Sequence, residues 1–400
     1  MSPSPAATVG APARPAGRQG LVQQPVLACL LLAGLAAALG LPLISVAPNR
    51  LLAGQGIGLP AMLIGVRAGV LVLVAWQIAA VFIAPSRRVE LGLLLTAGGL
   101  LTGLLWLAGD EASRRSASLP PLARVALGGG FWCLVLCNWL AAADALERLR
   151  LSPARQALAH LGLALPLALL GISGQLDTLS LAREYAQRRE VFDAAWLRHA
   201  QIVLSALAAA VALGLPLGVV AARSEGRRQA LLAGLGWVQT LPSVALFGLL
   251  MAPLAWAGAQ WPDSGIRGVG ALPAVIGLTL YALLPIVQGT AAGLRQVPAD
   301  LLEAGRGLGM TAGQLFWRLE WPLALPLLLA GLRSATVQLI GLTVVAALIG
   351  AGGFGTLVFQ GLASSAVDLV LLGVLPVVGL AVLTDAGFRL AGAAWAGGQR

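Results

Sequence analysis

Lysine is absent from all 400 residues. A phosphate-binding loop of the Walker type needs its lysine, and a pyridoxal Schiff base needs one too. The chain therefore does not hydrolyse ATP through such a loop. Charge of either sign is scarce, at 10% of residues against about 25% in soluble domains. A water-facing surface cannot be covered with so little. Histidine is limited to His160 and His199, with no HExxH or other ligand cluster around them. Cys29, Cys133 and Cys137 lie in apolar runs without a CxxC pair. No disulfide scaffold and no metal site is expected. Nor do two carboxylates pair inside any apolar run, so an enzyme of the membrane interior lacks its catalytic cluster.

Apolar residues make up 58% of the chain before its 51 glycines are counted. Soluble domains reach about 45–50% with glycine included. The chain reads as an all-α integral membrane protein. Its basic residues are 26 arginines, and the net charge is +10. They are spread thinly between apolar runs, with no basic face to follow a phosphate backbone, so nucleic acid is not an expected partner. Membrane lipid is, and the arginines read as positive-inside bias.

Residues 1–25, rich in Ala, Pro and Gly, read as a disordered cytoplasmic arm. Runs near the twenty residues needed to span are expected at Val26–Ala47, Met62–Ala84, Glu90–Ala108, Arg124–Ala143 and Ala157–Ser173. The first is too long for a signal-peptide core and is expected to be retained. A polar stretch, 174–198, follows and reads as an external surface helix anchored by Trp196. Five more runs follow, at His199–Ala222, Ala230–Trp256, Ala271–Leu294, Trp321–Leu348 and Val367–Phe388, making about ten, with a cytoplasmic tail at 391–400. No acid falls at the middle of any run, and Arg67 and Arg333 are expected to snorkel from span ends.

The most informative loop is Arg295–Pro322. Pro298 sets a helix start, Asp300–Arg306 makes two turns, and Gly307–Gly309 breaks them. Thr311 and Gln314 then form a T-x-x-Q capping box. Glu303, Ala304, Gly305, Gly309, Leu319, Trp321 and Pro322 fall at the spacing E-A-A-x3-G-x9-I-x-L-P. Gly305 stands for the second Ala, Leu319 for Ile and Trp321 for Leu, the last being the one marked departure. In this the loop resembles the EAA motif of ABC-importer permeases.

Flanking segments resemble the branch for glycine betaine, choline and carnitine. They are Gln239–Gly248, Leu272–Pro285 and Ile349–Gly355. With five extra N-terminal spans, the chain is most similar to YehY-type osmoprotectant permeases. The resemblance implies a MetI-like permease core over 199–390, an accessory region over 26–173, and coupling through the 295–322 loop. It implies a separate ATPase subunit holding ATP and Mg, with no cofactor on this chain. It also implies an extracytoplasmic solute-binding protein and a second permease subunit, identical or homologous. Candidates for the pathway are Gln239, Thr240, Ser243, Tyr281, Gln338 and Thr343; Gln239, Thr240 and Ser243 read equally as interhelical bonds, and Tyr281 reads as an interfacial or core residue sooner than as a substrate cage. Gly350, Gly352, Gly353 and Gly355 either gate or simply turn the chain. Two alternatives stay open: a secondary transporter built as a five-plus-five inverted repeat, and an ABC importer for an amino acid.

With the N-terminus inside, fifteen arginines lie on inner segments and nine on outer ones. An inner-membrane protein with both termini in the cytoplasm follows. A topology reporter fused after Gln260 is expected to read outside and one after Arg306 inside. An outside reading at Arg306 removes the coupling assignment.

Overall fold

Glycine and proline, more than polarity, decide where the apolar runs become helix. The computed structural model describes residues 21–49, 52, 54–63, 69–116, 118–120 and 122–397. The expected arm at 1–20, part of the second expected span (64–68), Arg67 and the last three residues lie outside these. Among the described residues, eight helices are long and apolar enough to cross a membrane, and three shorter apolar helices accompany them.

The first apolar run is helical only as α1, Pro25–Gly40. Leu41, held extended by the following proline, leads into strand β1, Pro42–Ala47. Among the described residues, the second run forms α2, Val70–Phe82, following a tight turn at Leu59–Met62. The third becomes the longer α3, Arg87–Ser116. The fourth opens as strand β3, Arg124–Leu127, and turns helical after Gly128 as α4, Gly129–Arg148. With β2, Gln55–Gly58, these strands form a small sheet in the order β2-β1-β3, an element that an all-α expectation does not contain. The fifth run is α5, Pro153–Ile172.

The polar stretch is likewise redrawn. It holds a short helix α6, Ser180–Gln187, but from Arg189 onward it is continuous with the following span as α7, Arg189–Ala222. No break exists at 198/199. The expected span 230–256 is two helices, α8 (Glu225–Thr240) and α9 (Ser243–Gln260), because Pro242 lacks the N–H that would continue the first. Then come α10 (Ala271–Arg295), α11 (Ala299–Gly307), α12 (Ala312–Leu315), α13 (Trp321–Ala346), the unforeseen α14 (Phe354–Ala363) and α15 (Val367–Gly397). The expected tail is thus helical as far as Gly397.

Two compact units divide the chain. One comprises 1–44, 56–108 and 127–150; the other comprises 45–55, 109–126 and 151–400. This partition differs from the expected one, since α5 groups with the second unit. Within the first, Leu27, Ala80, Val81, Val89, Leu93, Ala141 and Ala145 form a core. Gln77 on α2 donates to Asn138 on α4 at 3.2 Å, so the buried amides satisfy each other.

In the second unit α7, α10 and α13 make the densest packing, around Ile202, Phe247, Leu278, Ile286, Leu339 and Phe354. Lipid tails are as apolar as leucine, so close helix approach depends on small residues. Gly331 on α13 meets α10 so closely that a Cβ there would lie 2.5 Å from the Pro285 carbonyl oxygen. Arg333, expected near a span end, sits mid-way along α13 and pairs with Asp385 of α15, which also binds Arg389. Asp385 is likewise interior, because α15 continues well past the expected end. A charged group at membrane depth is costly alone, and this triad supplies the counter-charge.

Gly331→Leu is expected to lower the thermal midpoint of the purified protein, since overpacking costs about 1–3 kcal/mol. Gly341→Ala, on the same helix with nothing within 4 Å of its would-be Cβ, is expected to leave it unchanged. Equal midpoints would show that α10 and α13 can separate without loss.

Candidate coupling site

The segment from Arg295 to Pro322 is built from four local devices, all within the second unit. Pro298 caps α11. The helix then closes in a Schellman turn: Gly309 N–H donates to Arg306 C=O at 2.9 Å and Met310 N–H to Gly305 C=O at 3.1 Å. Gly309 takes φ +77°, the left-handed conformation that favours glycine. No neighbour lies within 4 Å of its would-be Cβ, so the demand is conformational and not a matter of space.

The third device is the capping box. Gln314 N–H donates to Thr311 Oγ1 at 3.3 Å, and Thr311 N–H donates to Gln314 Oε1 at 2.9 Å. A π-helical turn, Phe316–Glu320, then joins α12 to α13, with Pro322 in the first turn of α13. π-turns insert a residue into the helical ladder and recur at functional sites.

These devices set what faces in and out. Gly305 is buried, and a methyl group there would lie 2.6 Å from Leu315 Cδ2 and 3.0 Å from Leu319 Cδ1. That contact explains glycine where the pattern has alanine. Trp321, the marked departure, packs at a tilt against Phe316 and Trp317, with ring centroids 5.8 and 5.6 Å away. Glu303, Ala304 and Gly309 are exposed. So are Leu301, Trp317 and above all Leu308, at 85%. The segment therefore exposes three large apolar side chains and, from another side of α11, the carboxylate of Glu303.

Ion pairs that no single sequence reveals tie this segment to its neighbours. Arg223, just past α7, grips Glu320 with both guanidinium nitrogens, Nη1 to Oε1 at 2.8 Å and Nη2 to Oε2. Its guanidinium also lies 6.0 Å from the Phe316 ring centroid. Glu225 accepts from Arg228 and from Arg295, the latter at 2.5 Å. These two bonds, Arg228 first, hold its carboxyl down to about 2. The partners stand 97 and 70 residues apart, beyond any local pattern.

The pathway candidates divide. Tyr281 is buried and its hydroxyl donates to the Leu241 carbonyl at 2.5 Å, while Gln239 Nε2 donates to the Tyr281 carbonyl at 2.9 Å. Together they brace the α8–α9 break. Thr240 and Thr343 donate to their own helices, at the Trp237 and Leu339 carbonyls, both at 2.7 Å. Ser243 opens α9 and Gln338 lies on α13, both half-buried.

The glycine candidates form one turn between α13 and α14. Gly350, Gly352 and Gly353 all have positive φ (+77°, +92° and +80°). Gly355 lies inside α14, where a Cβ would stand 2.0 Å from the Val344 carbonyl oxygen.

Two family models and several relatives match the chain. Residues 22–182 match the family described as ABC transporter permease YehY, N-terminal domain. Residues 214–394 match the binding-protein-dependent transport system inner membrane component family. The osmoprotectant import permease protein OsmW of Salmonella typhimurium (strain LT2) is 40% identical over 192 residues, 47% of this chain and 84% of that protein. The glycine betaine/carnitine/choline transport system permease protein OpuCB of Bacillus subtilis (strain 168) is 35% identical over 187 residues, 47% of this chain and 80% of that protein. The ergothioneine transport permease/ergothioneine binding protein EgtU of Helicobacter pylori (strain G27) is 37% identical over 172 residues, covering 43% of this chain and 29% of that protein. The chain belongs to the binding-protein-dependent ABC-transporter permeases with a YehY-type N-terminal domain, as a multi-pass inner-membrane, non-catalytic subunit that works with a separate ATPase.

Proposed function

We propose that this permease imports small zwitterionic or quaternary-ammonium osmoprotectants such as glycine betaine, and that the 295–322 segment is its ATPase dock. The observation behind the docking is the exposure, on this one short segment, of Leu301, Leu308 and Trp317 together with the carboxylate of Glu303. Such a segment suits a groove on the ATPase with apolar walls and a basic residue. ATP and Mg are then held by that partner. A solute-binding protein delivers the solute from outside, a second permease copy or homologue completes the pathway, and both termini lie in the cytoplasm. The region 26–173 is accessory to transport.

The solute class rests on the relatives' names and on charge. A bare cation at membrane depth is helped by an unengaged carboxylate. Asp385, mid-way along α15, is already engaged by Arg333 and Arg389. A zwitterion carries its own counter-charge and asks only for polar and small-residue lining. Recognition of a trimethylammonium group by aromatic rings falls to the binding protein.

The test is ATP-dependent uptake of labelled glycine betaine, choline and an amino acid into vesicles holding the full complex. Uptake of betaine or choline is expected, and uptake of the amino acid alone rejects the solute class. Glu303→Ala and Gly309→Val are expected to abolish uptake or ATPase association, with the binding protein's solute affinity unchanged. A non-glycine residue in the left-handed region costs roughly 1–2 kcal/mol, enough to reshape the turn. Normal uptake in both variants would reject the docking role.

A further inference from the structure

α7 is held at both ends by specific contacts, and what it holds is not structurally equivalent at the two ends. Its 34 residues extend about 50 Å at 1.5 Å each. At the Ala222 end stands the Arg223–Glu320 pair, gripping the last residue of the π-turn before α13. At the Arg189 end the contacts go to the glycine turn and α14. Arg188 donates from Nη1 to Gln360 Oε1 at 3.2 Å, and Arg198 donates from Nε to the Ala351 carbonyl at 2.9 Å. Phe192, Trp196 and His199 all pack on Phe354, with ring centroids 5.3, 5.7 and 5.4 Å away.

The weak point of α7 lies toward its Ala222 end, where Pro216 removes one backbone bond. That stretch is braced by α10. A Cβ at Gly214 would stand 2.8 Å from Ile286, and one at Gly218 would stand 2.4 Å from Thr290. The helix cannot bend freely where proline would otherwise let it. The glycine turn, in contrast, has three left-handed residues in four positions and is where small backbone rotations re-aim α14.

We infer that α7 carries ATPase-driven movement of the 295–322 segment to the glycine turn, with Arg223–Glu320 as the positioning link. The inference rests on the docking role proposed for that segment. A bidentate guanidinium–carboxylate pair fixes orientation as well as distance, which a point contact would not do. When the segment shifts, Glu320 draws Arg223 and α7 with it. Arg198 and the aromatic cluster then displace Ala351 and Phe354, and α14 turns about Gly350–Gly353.

The experiment needs no solute. In the complete complex with its ATPase, Cys29, Cys133 and Cys137 are replaced by serine and Ala363→Cys is introduced at the end of α14. Labelling by a membrane-impermeant maleimide is compared with and without ATP. A ratio above about threefold is expected in this parent, falling to about one in R223E while the ATPase stays bound, and returning in R223E/E320R. If R223E does not accumulate, E320Q carries the same comparison. Four results overturn the inference: no ATP-dependent change in the parent, an unchanged ratio in R223E, no recovery in the double reversal, or loss of the ATPase in R223E. Docking is read separately in L308D. If that variant keeps its ATPase, the docking role falls whatever the Arg223 comparison shows.

Discussion

In hydrocarbon an amide has no water to bond, so each peptide crossing the membrane must satisfy its own donors and acceptors. The helices of this chain follow from that constraint, and so does the placing of every departure from helix. The Leu41 extension, the Pro242 break and the Gly350–Gly353 turn fall between helices, where neighbours or chain ends supply the missing bonds. At Pro242 the supply is explicit, since Tyr281 donates to the Leu241 carbonyl left open by the break. At the glycine turn, Arg198 does the same for Ala351.

Once the helices are formed, water no longer drives them together, and their association depends on how closely backbones can approach. That is why glycine matters more than leucine in the second unit. The meeting of α10 and α13 at Gly331 and of α7 and α10 at Gly214 and Gly218 sets the spacing of the three central helices. Charges then act as fasteners where the packing ends. Arg223–Glu320 and Arg295–Glu225 fasten the 295–322 segment, and Arg124 and Arg188 close on the buried Glu184 near the other end of α7.

The 295–322 segment was legible because its devices are local. A Schellman glycine, a T-x-x-Q box and a first-turn proline each act within about six residues, so their spacing in the chain is their spacing in space. Gly305 was legible only as a departure, and its reason lies in Leu315 and Leu319 folding back onto it. The pathway candidates were less legible. A hydroxyl in an apolar run looks available to solute, yet Thr343 bonds its own helix and Tyr281 is committed to a backbone carbonyl.

Composition and local spacing by themselves determined the membrane class, the largely helical architecture and the anatomy of the 295–322 segment. Each depends on side-chain chemistry or on neighbours a few residues away. Only the tertiary structure decided that α7 runs unbroken through the polar 189–198 stretch, and that Arg333 and Asp385 neutralise each other mid-helix. It also decided that Arg223 reaches Glu320, 97 residues on. The reason is physical. An arginine's partner is chosen by which helices pack side by side, and that choice is made by close contacts between distant small residues, not by any pattern along one stretch of chain.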